Sequence, residues 1–197
     1  MKIKEVAEAL ERFAPLPLQE GYDNAGLQIG LTDADASGVL LCLDVTEEII
    51  EEAEREGCNL IIAHHPLLFR GLKCIADRNI VERCVRRAIL AGITIYAAHT
   101  NLDNAEGGVN FAIAERLGLQ QVRFLQPLPN GQGGSGIIGE LPQELNPMEF
   151  LLLVKKKFHV DALQHNALPT RPIKRVALCG GSGDFLLSDA ISNRADA

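Results

Sequence analysis

The chain contains no C-x-x-C pair, no Lys/Arg block longer than the KKK at 155–157, and no apolar run approaching the roughly 18 residues that span a bilayer. Each absence excludes a class. Five cysteines (Cys42, Cys58, Cys74, Cys84 and Cys179) without metal-ribbon spacing argue against a disulfide scaffold or zinc ribbon, and four of them fall inside apolar strand or helix patterns, as reduced core residues do. With 23% charged residues and a net charge of -7, the surface is acidic, which disfavours nucleic acid and anionic membranes. The first residues, MKIKEVAEALERF, alternate charge with apolar positions and lack an apolar signal core, so a cytoplasmic protein is expected. No G-x-S-x-G elbow occurs, GGSGD at 180–184 fits neither a Walker loop nor G-x-G-x-x-G, and no cysteine has an evident base beside it.

What is present is a core and an alternation. In 197 residues, 47% hydrophobic, the chain has enough apolar material to fold without staples. The spacing predicts a helix over 3–13 with Val6, Ala9, Leu10 and Phe13 on one face, ended by Pro15 and Pro17. YDNAGLQIG follows, a glycine-spaced turn and short strand whose turn formers Asn24, Gly26 and Gly30 read as a structural hairpin. Val39 to Leu43 is an apolar strand, Asp44 and Thr46 are caps for an acidic helix from Glu47, Gly57 ends that helix, and Leu60 to Ala63 form the next strand. Ile80 to Ile89 mark a second amphipathic helix stopped by Gly92, and Ile93 to Ala98 a further strand. Strands alternating with helices imply a mainly parallel sheet with ligands gathered at the carboxyl ends of its strands.

Further on, a helix is expected over 109–117, and PLPNGQGGSG at 127–136 reads as a flexible connection between lobes. Asn146, Pro147 and Glu149 predict a capped helix through Phe158. RVALCGGSGDFLLSDA from Arg175 repeats the plan of VLLCLDVTEEIIEEA from Val39, so two related α/β half-units are expected. A first lobe over 1–126 and a connection with the start of a second over 127–197 are the predicted domains. In the first half the histidine pair falls 20 residues after Asp44, and 20 residues past Gly180 lies beyond Ala197, so the second lobe is expected to be truncated.

The chemistry concentrates at two predicted strand ends. LIIAHHP breaks off at His64 and His65, and YAAHTNLD carries His99 and Asp103. Successive side chains of a strand face opposite ways, so adjacent histidines are expected to hold different members of a metal pair rather than chelate one ion. Imidazole and carboxylate together suit zinc, manganese, iron or nickel. The competing reading has the imidazoles bonded to backbone or water. GGSGD at 180–184 reads as a turn ahead of an anion loop, the KKK run as a solvated helix face, and His159 and His165 as histidines without ligand partners.

YDNAGLQIG, LIIAHHPLLF, YAAHTNLDNAEGGVN and GGSGD, in this order, resemble the dinuclear-metal-centre hexameric protein family, also described as GTP cyclohydrolase 1 type 2 homologues or the Nif-three-like family. The resemblance implies that His64, His65 and Asp103 are metal ligands, with His99 near the site. It implies two divalent ions, two similar α/β lobes with mainly parallel sheets, and a homohexameric ring. The family's remaining histidine and glutamate ligands lie past the GGSGD half-unit, and no residue here stands at a matching position. The cyclohydrolase name implies a metal-dependent hydrolase of a nucleotide-like or phosphorylated small molecule. A non-catalytic, metal-binding or regulatory oligomer is the alternative.

Overall fold

The computed structural model describes residues 1–129 and 131–197. They divide into two units, Met1–Leu102 and Asp103–Ala197.

The first unit is a four-stranded sheet with helices on both faces. Its strands are β1 (Gly26–Ile29), β2 (Val39–Cys42), β3 (Leu60–Ala63) and β4 (Thr94–Ala97), in the order β1-β4-β3-β2. β2, β3 and β4 run parallel, and β1 pairs antiparallel with β4. YDNAGLQIG is therefore a turn feeding an edge strand, not a hairpin. The period-two alternation of the central strands splits the core cleanly. Ile61, Ala63 and Ile95 pack with Ile50, Ala53, Cys84, Val85 and Ala88 of α2 (Glu47–Arg55) and α3 (Ile80–Ala91), while Leu60 and Tyr96 face Ile3 of α1 (Ile3–Phe13). On α1 the packed stripe is Ile3, Val6, Ala7 and Leu10, one turn-step round from the expected face, leaving Ala9 and Phe13 exposed. Residues i, i+3, i+4 and i+7 starting at Ile3 make a continuous stripe, and Phe13 lies beyond its end.

The helix ends follow the local signals. Thr46 Oγ1 accepts from the Ile49 N–H and Asn79 Oδ1 from Glu82, each capping its helix, and Gly92 ends α3 at φ 66° in the left-handed region. Asp44, also expected as a cap, is drawn elsewhere. A short helix, α4 (Thr100–Asp103), follows β4 and crosses the division between units.

The second unit carries an antiparallel sheet of β5 (Gln120–Pro127), β6 (Gly134–Leu145) and β7 (Ile173–Leu178), order β5-β6-β7. On one face α5 (Val109–Leu117) and α6 (Pro147–Phe158) pack Ala114, Leu117 and Phe150 against Ile137, Leu141, Ile173 and Val176. The other face sets Leu125 and Ile138 against Leu186, ahead of α7 (Leu187–Ser192). The half-unit comparison implied a second parallel sheet, but β5 and β6 pair across 127–134, so the expected connection between lobes is a turn within one unit. There Leu128 N–H donates to Gly133 O at 2.8 Å; Asn130, part of that predicted connection, lies outside the described residues. GGSGD is a turn: Ser182 Oγ donates to Asp184 Oδ1 at 3.0 Å and Gly180 N–H to Asn110 Oδ1 at 2.7 Å. No helix among the described residues is long and apolar enough to cross a membrane.

Candidate metal centre

The three parallel strands of the first unit all deliver polar residues at their carboxyl ends. Ladder bonds continue briefly past the strands, from His64 N–H to Cys42 O (3.1 Å), His65 N–H to Leu43 O (2.9 Å) and Ala98 N–H to Ala63 O (2.9 Å), which fixes the backbone on which the site stands. β2 leads to Asp44, β3 to His64 and His65, and β4 to His99.

The three imidazoles converge. Ring centroids of His64 and His65 are 5.0 Å apart, those of His64 and His99 5.2 Å, and those of His65 and His99 5.5 Å. One ring nitrogen from each lies within 4.8 Å of the other two. The expectation that adjacent histidines point to opposite faces fails for a local reason: β3 ends at Ala63, and His64 and His65 occupy a bend where strand alternation no longer applies. Both swing to the side on which His99 arrives from the neighbouring strand.

Each ring is held by its Nδ1. That of His64 meets Ala98 O at 2.8 Å, that of His65 meets Asp44 Oδ1 at 2.8 Å, and that of His99 meets Asp23 Oδ1 at 2.8 Å. A carbonyl or carboxylate on Nδ1 accepts its proton, which leaves the lone pair on Nε2 and sets the ring plane, the arrangement that ligating histidines require. The chemistry of the set fits a divalent ion.

Asp23 is the most constrained member. Its side chain is fully buried, and besides His99 it accepts from the Thr100 N–H (3.0 Å), the Thr100 hydroxyl and the Asn24 N–H (2.6 Å). Burial pushes its pKa up, but the hydrogen bonds from His99, Thr100 and Asn24 outweigh it and hold the carboxyl below its usual value. Asp44, by contrast, is 63% exposed. Asn101 completes the turn, its Oδ1 accepting from His99 N–H at 3.0 Å and its Nδ2 donating to Ala14 O at 2.7 Å.

Of the sequence-predicted residues, His64, His65 and His99 come together; His99, ranked below the others by the resemblance, is an equal member. Asp103 closes α4 and counts with the second unit, whereas the trio lies wholly within the first. Sequence reasoning missed Asp23 and Asp44 as ring-orienting groups. The thiols stay outside the chemistry: burial, then Asp44 and Glu52, push Cys42 up to about 11, and Cys84 is likewise raised to about 11, first by burial. Cys74 is exposed rather than part of the core, and no disulfide joins the cysteines of the described residues.

The family model described as Duf34/NIF3 (NGG1p interacting factor 3) matches residues 1–197. Among curated relatives, a Clostridium perfringens protein named GTP cyclohydrolase 1 type 2 homolog is 36% identical over 197 residues, covering 100% of this chain and 75% of its own length. A Lactococcus lactis protein of the same name is 37% identical over 202 residues, covering 100% and 76%. Among solved structures, a Bacillus cereus protein described as related to NIF3 superposes with a TM-score of 0.90 at 26% identity, covering 100% of this chain and 81% of that one. A Staphylococcus aureus protein gives 0.92 at 28%, covering 100% and 78%.

Proposed function

This chain belongs to the Duf34/NIF3 family, and on that premise we propose that it binds divalent metal through His64, His65 and His99 and uses it to hydrolyse a small nucleotide-like or phosphorylated molecule. The observation that carries the reading is the convergence of three imidazoles within 4.8 Å, each anchored through Nδ1. A bound ion supplies Lewis acidity, which brings the pKa of a water towards neutrality and polarises the bond to be broken. The chain supplies the rest. Asp44 and Asp23 keep His65 and His99 in the tautomer that presents Nε2, Ala98 O does so for His64, and Asn101 fixes the backbone from which His99 departs. Asp103 enters from the motif alone, as a carboxylate ligand, and so does a pair of ions. Zinc, manganese, iron and nickel all suit such ligands, and availability selects among them. The name borne by the relatives suggests opening of a heteroaromatic ring as in a GTP cyclohydrolase. A cytoplasmic homohexamer completes the proposal.

Metal content per chain, measured by elemental mass spectrometry on protein purified without chelators, tests it. Wild type should carry stoichiometric metal, and His65→Ala should lose most of it while keeping its circular dichroism spectrum. A variant that retains the wild-type metal count rejects the assignment. Turnover of a nucleotide panel that stops on chelation supports the hydrolase; bound metal with no turnover leaves the metal site standing and replaces the enzyme with a regulatory or metal-holding protein.

A further inference from the structure

The segment after the histidine pair has no regular structure yet is clamped. Asn24 Nδ2 donates to Leu68 O at 2.7 Å, and the Leu68 N–H donates to Gln28 Oε1 at 3.0 Å, so both backbone groups of one loop residue are taken by YDNAGLQ. That motif therefore does three things: Asp23 orients His99, Asn24 and Gln28 seat the loop, and Tyr22 meets the aromatic residue the loop presents. The residue is Phe69, whose ring centroid is 6.3 Å from that of Tyr22 and 6.3 Å from that of His99, at 80° to the latter.

Phe69 thus belongs to two features: its ring meets that of His99 edge-on, and it lines an open cavity of about 370 Å³ together with Leu67, Arg70, Leu72 and Val81, with Asn79 at the α3 cap. The volume falls in the range of small-molecule sites, and Arg70 is the one charged residue among those that line it. Arg70 is exposed and, of the first unit's cations with no hydrogen bond or ion pair among the described residues, it alone lines the cavity. In a chain of net charge -7, such a cation beside an apolar hollow is available to an anion that arrives from outside.

We infer that this cavity holds the non-reacting part of the substrate, and that Phe69 and Arg70 select an organic anion with a flat apolar body. The body lies in the hollow against Phe69, where an offset or edge-on ring gains contact beyond its buried area, and the phosphate or carboxylate meets the fork of Arg70. The reacting bond then projects past Phe69 to the trio. This assignment rests on the metal-site reading for its role, but the binding it claims does not need the ion.

Phenyl phosphate is the test ligand, titrated by isothermal calorimetry into metal-replete protein, chelator-treated protein and the His65→Ala variant, with inorganic phosphate as the control. Phenyl phosphate should bind all three forms, at least about tenfold more tightly than phosphate. Arg70→Gln and Phe69→Ala, both at exposed positions, should each weaken it about tenfold, the scale of a charge-assisted bond or a stacked ring. Equal binding by wild type, Arg70→Gln and Phe69→Ala overturns the inference, as does equal affinity for phosphate and phenyl phosphate, or binding that vanishes with the ion. Absence of metal from wild type with this binding intact instead removes the metal reading and leaves an anion-binding hollow.

Discussion

Asp23 and Asp44 perform the same task from opposite environments, and that difference separates site chemistry from stability. Asp44 is 63% exposed, so Asp44→Ala deprives His65 of its acceptor without leaving a buried donor unmet. Loss of such an orienting carboxylate costs about 10- to 100-fold in metal affinity, while the unfolding midpoint of chelator-treated protein should barely move. Asp23→Ala should lower both. It strands the Thr100 and Asn24 donors as well as the His99 ring, and each buried group left unsatisfied costs about 1–3 kcal/mol. Competition titration against a zinc indicator, paired with thermal unfolding in chelator, checks both; equal stability losses for the two variants would contradict the burial argument. His64, His65 and His99 were readable in the sequence because apolar runs that stop at imidazoles mark strand ends. Their acceptors were not, because Asp44 lies 21 residues and Asp23 76 residues away from the ring each holds, a separation no local pattern encodes.

At the scale of elements, the junctions that build the site make the sharpest demands. Gly30 leaves β1 at φ 111°, and a Cβ there would sit 2.6 Å from the Thr94 Cα of β4. Gly30→Ala therefore meets both backbone strain and a contact that β4 cannot relieve, and should destabilise by about 1–3 kcal/mol or more in urea unfolding. Gly21→Ala, in open space without a positive φ, should be silent. Glu82, buried in the first turn of α3, accepts from the Arg78 guanidinium, Asn79 Nδ2 and the Ala76 N–H, and the Arg78 hydrogen bond foremost, against the opposing effect of burial, holds its pKa down to about 2. A folded pKa below the unfolded 4.5 means that this stabilisation is complete above about pH 5 and is lost as pH falls towards 2. Glu82→Gln should flatten the acid limb of stability against pH over that window; an unchanged slope would show that the carboxylate does not titrate with folding. Helix bounds were the most readable elements, since Thr46, Asn79 and the Asn146–Glu149 capping box are local signals. The hairpin at β5 and β6 was hidden because its glycine-rich turn has the composition of a linker, and only the pairing of the flanking strands distinguishes the two.

For the whole molecule, the balance of covered and uncovered apolar surface is uneven across one strand. β2 is an edge of the first sheet; Leu40 and Cys42 pack into the core beneath it, while Leu41 and Leu43 on its other side are 71% and 60% exposed. An edge strand with that face open is a template for association, and natural chains cover such edges or charge them. The sequence offered no view of this, because an unbroken apolar run predicts a strand covered on both sides, and which of its faces lacks a neighbour is settled only by strand order. If the chain closes into the proposed ring of six, sedimentation equilibrium should give six times the 21.4 kDa chain mass, and Leu41→Glu should reduce it by burying a charge wherever that strand meets a second copy. A wild-type mass of one chain would remove the ring. A ring that survives Leu41→Glu would place the interface elsewhere and leave β2 needing a different cover, whereas a ring that falls apart while retaining metal in each chain would show that the metal site needs no second copy of the chain.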